Sequence, residues 1–546
     1  GTLYSVLPNN AGGDFNVTRG SLATRVNSNG LIEPVGTLGT DVVLNGDFEE
    51  TGVEQVTNGD FATDSDWNKN ATVTISGGSA NFAGVAGRYL DQTCLTNGTS
   101  YLLTFDVSAY TSGVLTVFGG AGNSISGVAV QSVGSYSFYF TAGGADDKLY
   151  FGSVFTGSID NVSVKEVGQE WTLSDGCSIT AQGARITSDG TFQNIQQANV
   201  MVIGDTYEME YEITESVSGF IIATACFDSE LKLKNTVGVH KFYAVAAANF
   251  LQIKRASGVT DITIDNIKIK RLNGDDTPRI DYTDGGCPVL LTEPQSTNLI
   301  TDSNDFSATS WNKAQGGVGS APIVTSNYAI SPDGSQNADR VEFNLNGGGV
   351  SNDFSRLREL NISAVSPTIS IYIKSNNTNT YELNLSYGGG EIGLITAKPN
   401  EWSRVEVQTT PSGSFDYRLE LRGSYNTSDN ADVLIYGAQA EDLSYATSLI
   451  PTYGEVRTRL QDSVNGAGTS SDFNDSEGVL FVEVGALHDG SGANRYLSIN
   501  SGSTTNSLRI YFGTVGDIQA VVISANNNTS YMQYSGATIS EINKIA

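Results

Sequence analysis

The sequence predicts an all-β chain, a string of antiparallel β-sandwich (jelly-roll) domains, and three observations point there. Gly (61), Tyr (24) and Phe (22) are abundant while Met (3) is nearly absent. Clusters of Lys, Glu and Ala at helical spacing are hard to find. The chain instead runs as short alternating stretches, such as YLLTFDVSAY at 101–110, YSFYF at 136–140, YEMEYEI at 207–213 and ISIYIKS at 369–375. The turn formers Gly, Asn, Ser and Asp separate them. In YSFYF, Tyr136, Phe138 and Phe140 share one face and Ser137 and Tyr139 the other, the period of a strand with one buried side. Two such sheets packed face to face make a sandwich.

With 546 residues there is room for roughly three to five domains, each with its own core. The formal charge of −29 makes nucleic acid and anionic membrane surfaces poor partners. The longest apolar runs are too short to insert as a membrane helix. The chain opens on Gly1 without a signal-peptide pattern, as expected of a processed or trimmed start. Cys94, Cys177, Cys226 and Cys287 form no C-x-x-C pair, so buried thiols are expected rather than zinc or a disulfide framework. His240 and His488 lie in different regions, which argues against histidine-based triads and metal sites.

Self-comparison reveals a repeat. Trp67 in SDWNKN answers to Trp171 in QEWTLS, Tyr101 in GTSYLLTFDV to Tyr207 in GDTYEMEYEI, and Val133 in VGSYSFYFTAG to Val237 in VGVHKFYAVAA. Asp160 in SIDNVSVK answers to Asp265 in TIDNIKIK. The offsets are 104, 106, 104 and 105 residues, near-constant over four landmarks. Residues 41–166 and 167–272 are therefore expected to be two copies of one domain. A third, more divergent copy is expected at 295–455. There NDFSATSWNK resembles the NGDFATDSDWNK opening, and the closing strand carries Tyr436-Gly437 in place of Asp-Asn.

NGDF followed by Trp and closing on IDNV resembles the jelly-roll carbohydrate-binding modules of the four/nine type. That resemblance implies two antiparallel sheets and a structural calcium ion, held by the acidic opening and by the Asp of the closing strand. Carried over, it places Asp60 and Asp160 at such a site in the first copy. In the second copy only Asp265 has a match, because no NGDF stands just before Trp171. The chemistry is sound, since calcium takes six to eight oxygens. The competing reading has Asp160 capping a strand end or binding backbone amides. NGDF occurs once more at 45–48, either as the relic of a lost module or as an extra edge strand supplying Asp47 and Glu49 to the same cation.

Two further stretches, TRGSLATRVNSNGLIEPVG at 18–36 and PRIDYTDGGCPVLLTEPQSTNLITDSNDF at 278–306, resemble segments of tailed-phage tail and fibre proteins, in which they stand almost adjacent. AQAEDLSYATSLIPTYGEVRTR at 438–459 resembles the phage pattern that follows such sandwiches. The resemblance implies that the repeat pair is a cassette in a phage structural protein. It pairs an N-terminal segment, 1–40, with 278–297 across a connector at 273–297. Residues 456–546 resemble part of a laminin-G or concanavalin-A-like sandwich, and the protein is expected to continue beyond Ala546.

No Gly-x-Ser-x-Gly, H-E-x-x-H or phosphate loop with Lys is present, and no pair of carboxylates stands out for glycoside hydrolysis, so an enzyme is not expected. Sugar sites stack pyranose faces on aromatic rings, with amides, acids and Arg for the hydroxyls. Trp67, Trp171, Trp311 and Trp402 sit at strand starts, where core packing is the plainer reading. Tyr110, Tyr139 and Tyr243 fall opposite or beyond the core face and are the expected sugar platforms. Together these readings imply a phage tail-fibre or adhesion subunit, extracellular on the virion. Its expected partners are host-surface polysaccharide and other virion proteins, with a homotrimer implied by the family. The alternative is an architectural spacer or decoration, and a polysaccharide depolymerase comes third.

Overall fold

The computed structural model describes residues 15–85, 88–152, 154–227, 231–273, 277–283, 288–388, 392–408, 413–425, 428–468, 477–486, 495–500, 502–503, 505–513, 516–539 and 541–545. Cys287 and His488 lie outside these residues. Every regular element described is a strand, and none of the described residues forms a helix long and apolar enough to cross a membrane. The chain divides into two compact units, Thr37–Asn273 and the residues flanking it on both sides.

Thr37–Asn273 holds two sandwiches. In sandwich I the larger sheet runs in the order Gly134–Thr141, Ser100–Gly113, Phe155–Val167, Ala80–Ala83, Val73–Ile75, with Thr51–Glu54 also paired to Phe155–Val167. The smaller sheet runs Thr116–Gly119, Lys148–Gly152, Arg88–Thr93, Asn68–Lys69. Alternation does the sorting: Leu103, Phe105, Phe140, Leu149 and Phe151 are buried between the sheets, with Tyr136 and Phe138 packed against them. Sandwich II repeats this plan. Its larger sheet is Cys177–Thr180, Gly183–Asp189, Val259–Asn273, Thr206–Ser218, Gly238–Val245. Its smaller sheet is Thr172–Leu173, Asn194–Gln197, Leu251–Arg255, Ile221–Ala223, Leu231–Lys232.

The opening of sandwich II is not where the repeat spacing puts it. Thr37–Asp41 pairs with Val259–Asn273, a strand of sandwich II. The NGDF at 45–48 is neither a relic nor an extra edge of the first copy; it is the missing hook of the second. Phe48 packs on Trp171 at 5.2 Å between ring centroids, as Phe61 packs on Trp67 at 5.4 Å. The indole of Trp171 donates to Asn45 O at 3.1 Å and that of Trp67 to Asn58 O at 3.0 Å. Asn45, Phe48, Asn58 and Phe61 have φ of 48°, 55°, 55° and 49°. A Phe in the left-handed region is held against its preference, at roughly 1–3 kcal/mol. Burying the ring against Trp offsets this by about 1.5–3 kcal/mol. The glycine between them is needed for close approach, since a Cβ on Gly46 or Gly59 would meet Ile267 O or Val162 O at 2.0 or 1.9 Å. Sandwich I, residues 51–167, is thus inserted inside sandwich II, between its hook and its Trp.

The recurrent Ile-Asp-Asn also finds its reason. Asn161 and Asn266 have φ of 51° and 50° and sit at register shifts where Phe155–Val167 and Val259–Asn273 bulge against their partners. The bulge turns the next residue toward the hook: Val162 N donates to Gly59 O at 2.8 Å and Ile267 N to Gly46 O at 2.9 Å. The Asn N–H freed from the ladder goes to the preceding carboxylate, at 2.7 Å for Asp160 and 2.8 Å for Asp265.

In the flanking unit, sandwich III stacks two five-stranded sheets. One runs Trp311–Gly316, Phe354–Ile362, Phe415–Arg422, Tyr381–Ser386, Ile392–Ala397, and the other Ser320–Ala329, Ala338–Asn344, Asn430–Glu441, Thr368–Ser375, Ser403–Gln408. Its hook keeps the logic with one residue more. Phe306 packs on Trp311 at 4.9 Å, Trp311 Nε1 donates to Asp302 O at 2.8 Å, and Ala438 N donates to Ser303 O at 2.9 Å. Gly437, φ 64°, takes the bulge position that Asn fills in the other two.

Segments 18–36 and 278–297 lie side by side: Val26 N donates to Asp281 Oδ2 at 2.8 Å and Tyr282 N to Val26 O at 3.0 Å. Beneath them is a buried charge network. Arg19 meets Asp462 at 3.0 Å, Arg459 meets Glu293 at 2.7 Å, and Arg279 bridges Glu293 and Asp462, with every side chain at most 2% exposed. Burial pushes the Glu293 carboxyl up, and Arg459 and Arg279 overturn that and hold it below its ordinary value. Residues 477–545 add a four-stranded sheet, Arg495–Asn500 to Asn527–Ser535, over a small core of Ile510, Phe512, Ile518 and Ile539.

Candidate functional site

The three sandwiches offer one equivalent surface, the outer face of the sheet that begins with the hook Trp. In sandwich I the inward residues Leu90, Leu149, Phe151 and Val117 are core. Their neighbours therefore point out, and register aligns four of them in a row: Asn68 opposite Asp91, Asp91 opposite Tyr150, Tyr150 opposite Phe118. Neighbouring strands are about 4.8 Å apart, so the row spans roughly 14 Å. Its polar end is fixed. Asn68 Nδ2 donates to Asp91 Oδ2 at 3.1 Å, Lys148 Nζ lies 3.0 Å from the same oxygen and 5.9 Å from the Tyr150 ring centre, and the Tyr150 hydroxyl donates to Asp146. Two aromatic rings beside a carboxylate, an amide and an ammonium form a surface on which an apolar sugar face can stack while its hydroxyls find partners.

In sandwich II the equivalent row is Thr172, Gln196, Gln252, all amide or hydroxyl, with Gln252 Nε2 donating to Gln196 Oε1 at 2.9 Å. Its aromatic residues stand to the side: Phe192 and Phe220 are exposed, with Lys254 and Lys232 over their rings at 5.7 and 3.9 Å. In sandwich III the row is Asn312, Arg358, Arg418, Ser386. One scaffold position thus carries aromatic, amide and arginine chemistry in turn.

The residues singled out from sequence fall elsewhere. Tyr110, Tyr139 and Tyr243 all lie on the larger sheets, and the structure does not bring them together. Tyr110 is half-buried on Phe155 at 6.3 Å with its hydroxyl donating to Gly113 O at 3.1 Å. Tyr243 donates to Glu208. Tyr139 is half-buried, and burial, with Glu49 nearby, pushes its hydroxyl up. Trp67, Trp171 and Trp311 are core residues, and Trp402 is half-buried with Lys374 Nζ 5.1 Å from its ring centre. Cys177 and Cys226 are buried, and burial pushes the Cys94 thiol up to about 12, so these thiols are unreactive.

The four acids expected around the cation of the first copy, Asp47, Glu49, Asp60 and Asp160, are divided by the nested topology, and Asp265 is the lone match expected in the second copy. Asp60 and Asp160 belong to sandwich I, and Asp47, Glu49 and Asp265 to sandwich II. Among the described residues no group of three or more His, Cys, Asp or Glu side chains is placed to hold a metal ion. Asp160 and Asp265 each accept the N–H of the Asn that follows, at the bulge. Burial first, then Glu212, Asp47 and Glu49, push the Asp265 carboxyl up to about 6.

The signal for the outer-face row was present but spread thin. Phe118, Tyr150 and Asp91 come from three separate short strands, each with one outward residue of interest. For sandwich III the signal was denser, because RLREL at 356–360 and YRLELR at 417–422 alternate charge with Leu.

Neither a family model nor a curated protein matches the chain. Solved structures give faint likenesses. The N-terminal CBM22-1–CBM22-2 tandem domain of a Paenibacillus barcinonensis protein is 11% identical, covering 50% of this chain and 94% of that one at a TM-score of 0.20. A family 11 carbohydrate-binding module from Clostridium thermocellum, solved with a β-1,3-1,4-mixed-linked tetrasaccharide, is 10% identical over 30% of this chain and 100% of its own, also at 0.20. A triple jelly-roll protein of an archaeal virus turret is 10% identical over 69% and 89%, at 0.15. At such TM-scores these likenesses carry no argument. The antiparallel sandwich fold stands on the strand topology above.

Proposed function

We propose that this chain binds polysaccharide without cleaving it, and that the outer face of the smaller sheet in sandwich I is its contact surface. The observation that carries the reading is the aligned row Asn68, Asp91, Tyr150, Phe118, an aromatic strip ending in fixed polar groups. A shallow sugar contact of this kind is weak by itself, and useful affinity comes from several sites engaged together. The setting is read as the outside of a phage particle, as a tail-fibre or adhesion subunit, because segments 18–36, 278–306 and 438–459 resemble tail-protein segments. Those segments also supply Arg19, Arg279, Glu293 and Arg459 to one buried network.

Affinity electrophoresis of the full chain in gels containing galactomannan or dextran tests the reading. Retardation is expected, and Tyr150→Ala should reduce it at least fivefold with an unchanged melting temperature. A wild-type chain that migrates identically with and without neutral polysaccharide counts against the reading and favours an architectural role.

A further inference from the structure

The outer face of sandwich III has a chemistry that its counterparts lack. Two adjacent strands place four guanidinium groups on one side: Arg356 and Arg358, and Arg418 and Arg422. The intervening Leu357, Tyr417, Leu419 and Leu421 are core. Only two carboxylates stand between them. Asp416 Oδ2 is shared by Arg418 at 2.7 Å and Arg358 at 3.3 Å, and Glu420 is shared by Arg356 and Arg422. With Glu382 on the next strand, the face carries four cations and three anions, in a chain of net charge −29.

Two features are left unexplained by a purely structural ion ladder. Arg358 and Arg418 are directly opposed in register with the single carboxylate of Asp416 between them, which leaves the pair one positive charge in excess. Arg418 Nε is buried and has no hydrogen-bond partner. Both side chains nevertheless keep an exposed portion, 26% and 19%. The middle of the face is tightly packed, since Arg356, Glu420 and Asn384 point outward by alternation yet are only 5%, 2% and 0% exposed, with the Phe354 ring lying against Arg356 and Arg422. The backbone of Gly388 lies against the Arg418 guanidinium, since a Cβ built there would fall 2.6 Å from Nη2. A partly exposed guanidinium pair beside a packed, buried patch is matched by a carboxylate held in two-pronged fashion.

We propose that this face is a binding site for an acidic polysaccharide, in which Arg358 and Arg418 take the carboxylate of a uronate residue. The inference rests on the glycan-binding reading above and assigns a second ligand class to a second sandwich. The negative charge of the whole chain repels polyanions at long range, so binding comes from the local arginine pair and not from bulk attraction.

The test is calorimetric titration of the full chain with polygalacturonate, galactomannan and poly-glutamate at the same ionic strength. Polygalacturonate is expected to bind. Arg358→Gln/Arg418→Gln should weaken it at least tenfold and leave galactomannan binding unchanged. Arg418→Lys keeps the charge but loses the planar fork, and should weaken polygalacturonate binding about fivefold with an unchanged melting temperature. Those results support the site, and they support it equally if galactomannan fails to bind, in which case only the sandwich I reading falls. No polygalacturonate binding by wild type overturns the inference. So does equal, arginine-dependent binding of poly-glutamate, which would make the face a general polyanion surface.

Discussion

Gln197 grips Leu44 with both ends of its amide: Leu44 N donates to Oε1 and Nε2 donates to Leu44 O, each at 2.8 Å, across 153 residues of chain. Gln92 does the same for Thr57, at 2.8 and 2.9 Å, across 35 residues. The clamp is identical and only the chain length differs, because all of sandwich I lies inside the second loop. Closing a longer loop costs little extra entropy, since the cost grows with the logarithm of length. The insertion is thermodynamically mild for that reason.

Excising sandwich I is therefore expected to leave sandwich II folded. Thr51 and Val167 are register partners, so the two ends of the insert are neighbours and a Gly-Gly joint between Glu50 and Gly168 bridges them. The excised chain should keep slow amide exchange at Met209, Ile253 and Ile269, all fully buried in sandwich II. Loss of that protection would show that the hook at 45–48 depends on sandwich I.

This nesting also explains what could be read from sequence. The strands, the alternating cores and the repeat from Trp onward were legible, because each depends on local pattern. The assignment of 45–48 was not, because its partner Trp171 is remote and the repeat search favours a constant offset. The role of Asp160 was legible only as an open choice, since an Asp that caps a bulge and an Asp that binds a cation look alike in sequence. The outer-face row of Asn68, Asp91, Tyr150 and Phe118 was hidden because register, which aligns them, is set by pairings between strands distant in sequence.

Glu359 occupies the place of Gln92 and Gln197 in sandwich III, and predicts a pH response. Its Oε1 accepts from Thr301 N and Oγ1 at 3.0 and 2.8 Å, while Oε2 is buried without a partner. Burial first, with Asp302 adding, pushes its carboxyl up to about 7, against bonds from Thr301 that pull it down. The other titratable group opposite it in register is Tyr417, itself pushed well up by burial. A folded-state value raised above the unfolded value of 4.5 means that stability is full below about pH 4.5 and is lost as pH rises toward 7. The loss is on the order of 3 kcal/mol at most. Glu359→Gln restores the neutral clamp and should raise the melting temperature at pH 8 while changing it little at pH 5. Equal effects at both pH values would count against a protonated Glu359.

Glu293 is the single acid between Arg279 and Arg459, with Ser448 N and Oγ donating to it at 2.8 and 2.7 Å. Removing it leaves two buried guanidinium groups short of a counter-charge. Glu293→Ala should destabilise the flanking unit by about 3–5 kcal/mol in urea unfolding. Unfolding of Thr37–Asn273, read from amide exchange at its buried Met209 and Ile269, is expected to stay put. A loss below about 1 kcal/mol would mean that water enters and solvates the network.

The Asp160–Asn161 pair separates bulge chemistry from calcium chemistry. Asp160 Oδ1 accepts from Asn161 N at 2.7 Å, and Asn161 Nδ2 donates to Asp106 Oδ2 at 2.8 Å. Asp106 also accepts from Ser135 Oγ, and these bonds hold its carboxyl below the ordinary value. If the pair serves the bulge, Asp160→Ala should lower the melting temperature by the worth of one such bond, about 1 kcal/mol, with and without calcium alike. Asn161→Gly keeps the φ of 51° accessible and should cost little, whereas Asn161→Val forces a β-branched residue into the left-handed region and should cost about 1–3 kcal/mol. If calcium is bound, the wild type should melt higher in calcium than in chelator, by mass action on the native state, and Asp160→Ala should erase that difference. The geometry favours the first outcome, because the Asp160 carboxylate already accepts a backbone N–H and, of the co-ligands expected for it, only Asp60 shares its sandwich, Asp47 and Glu49 belonging to the other.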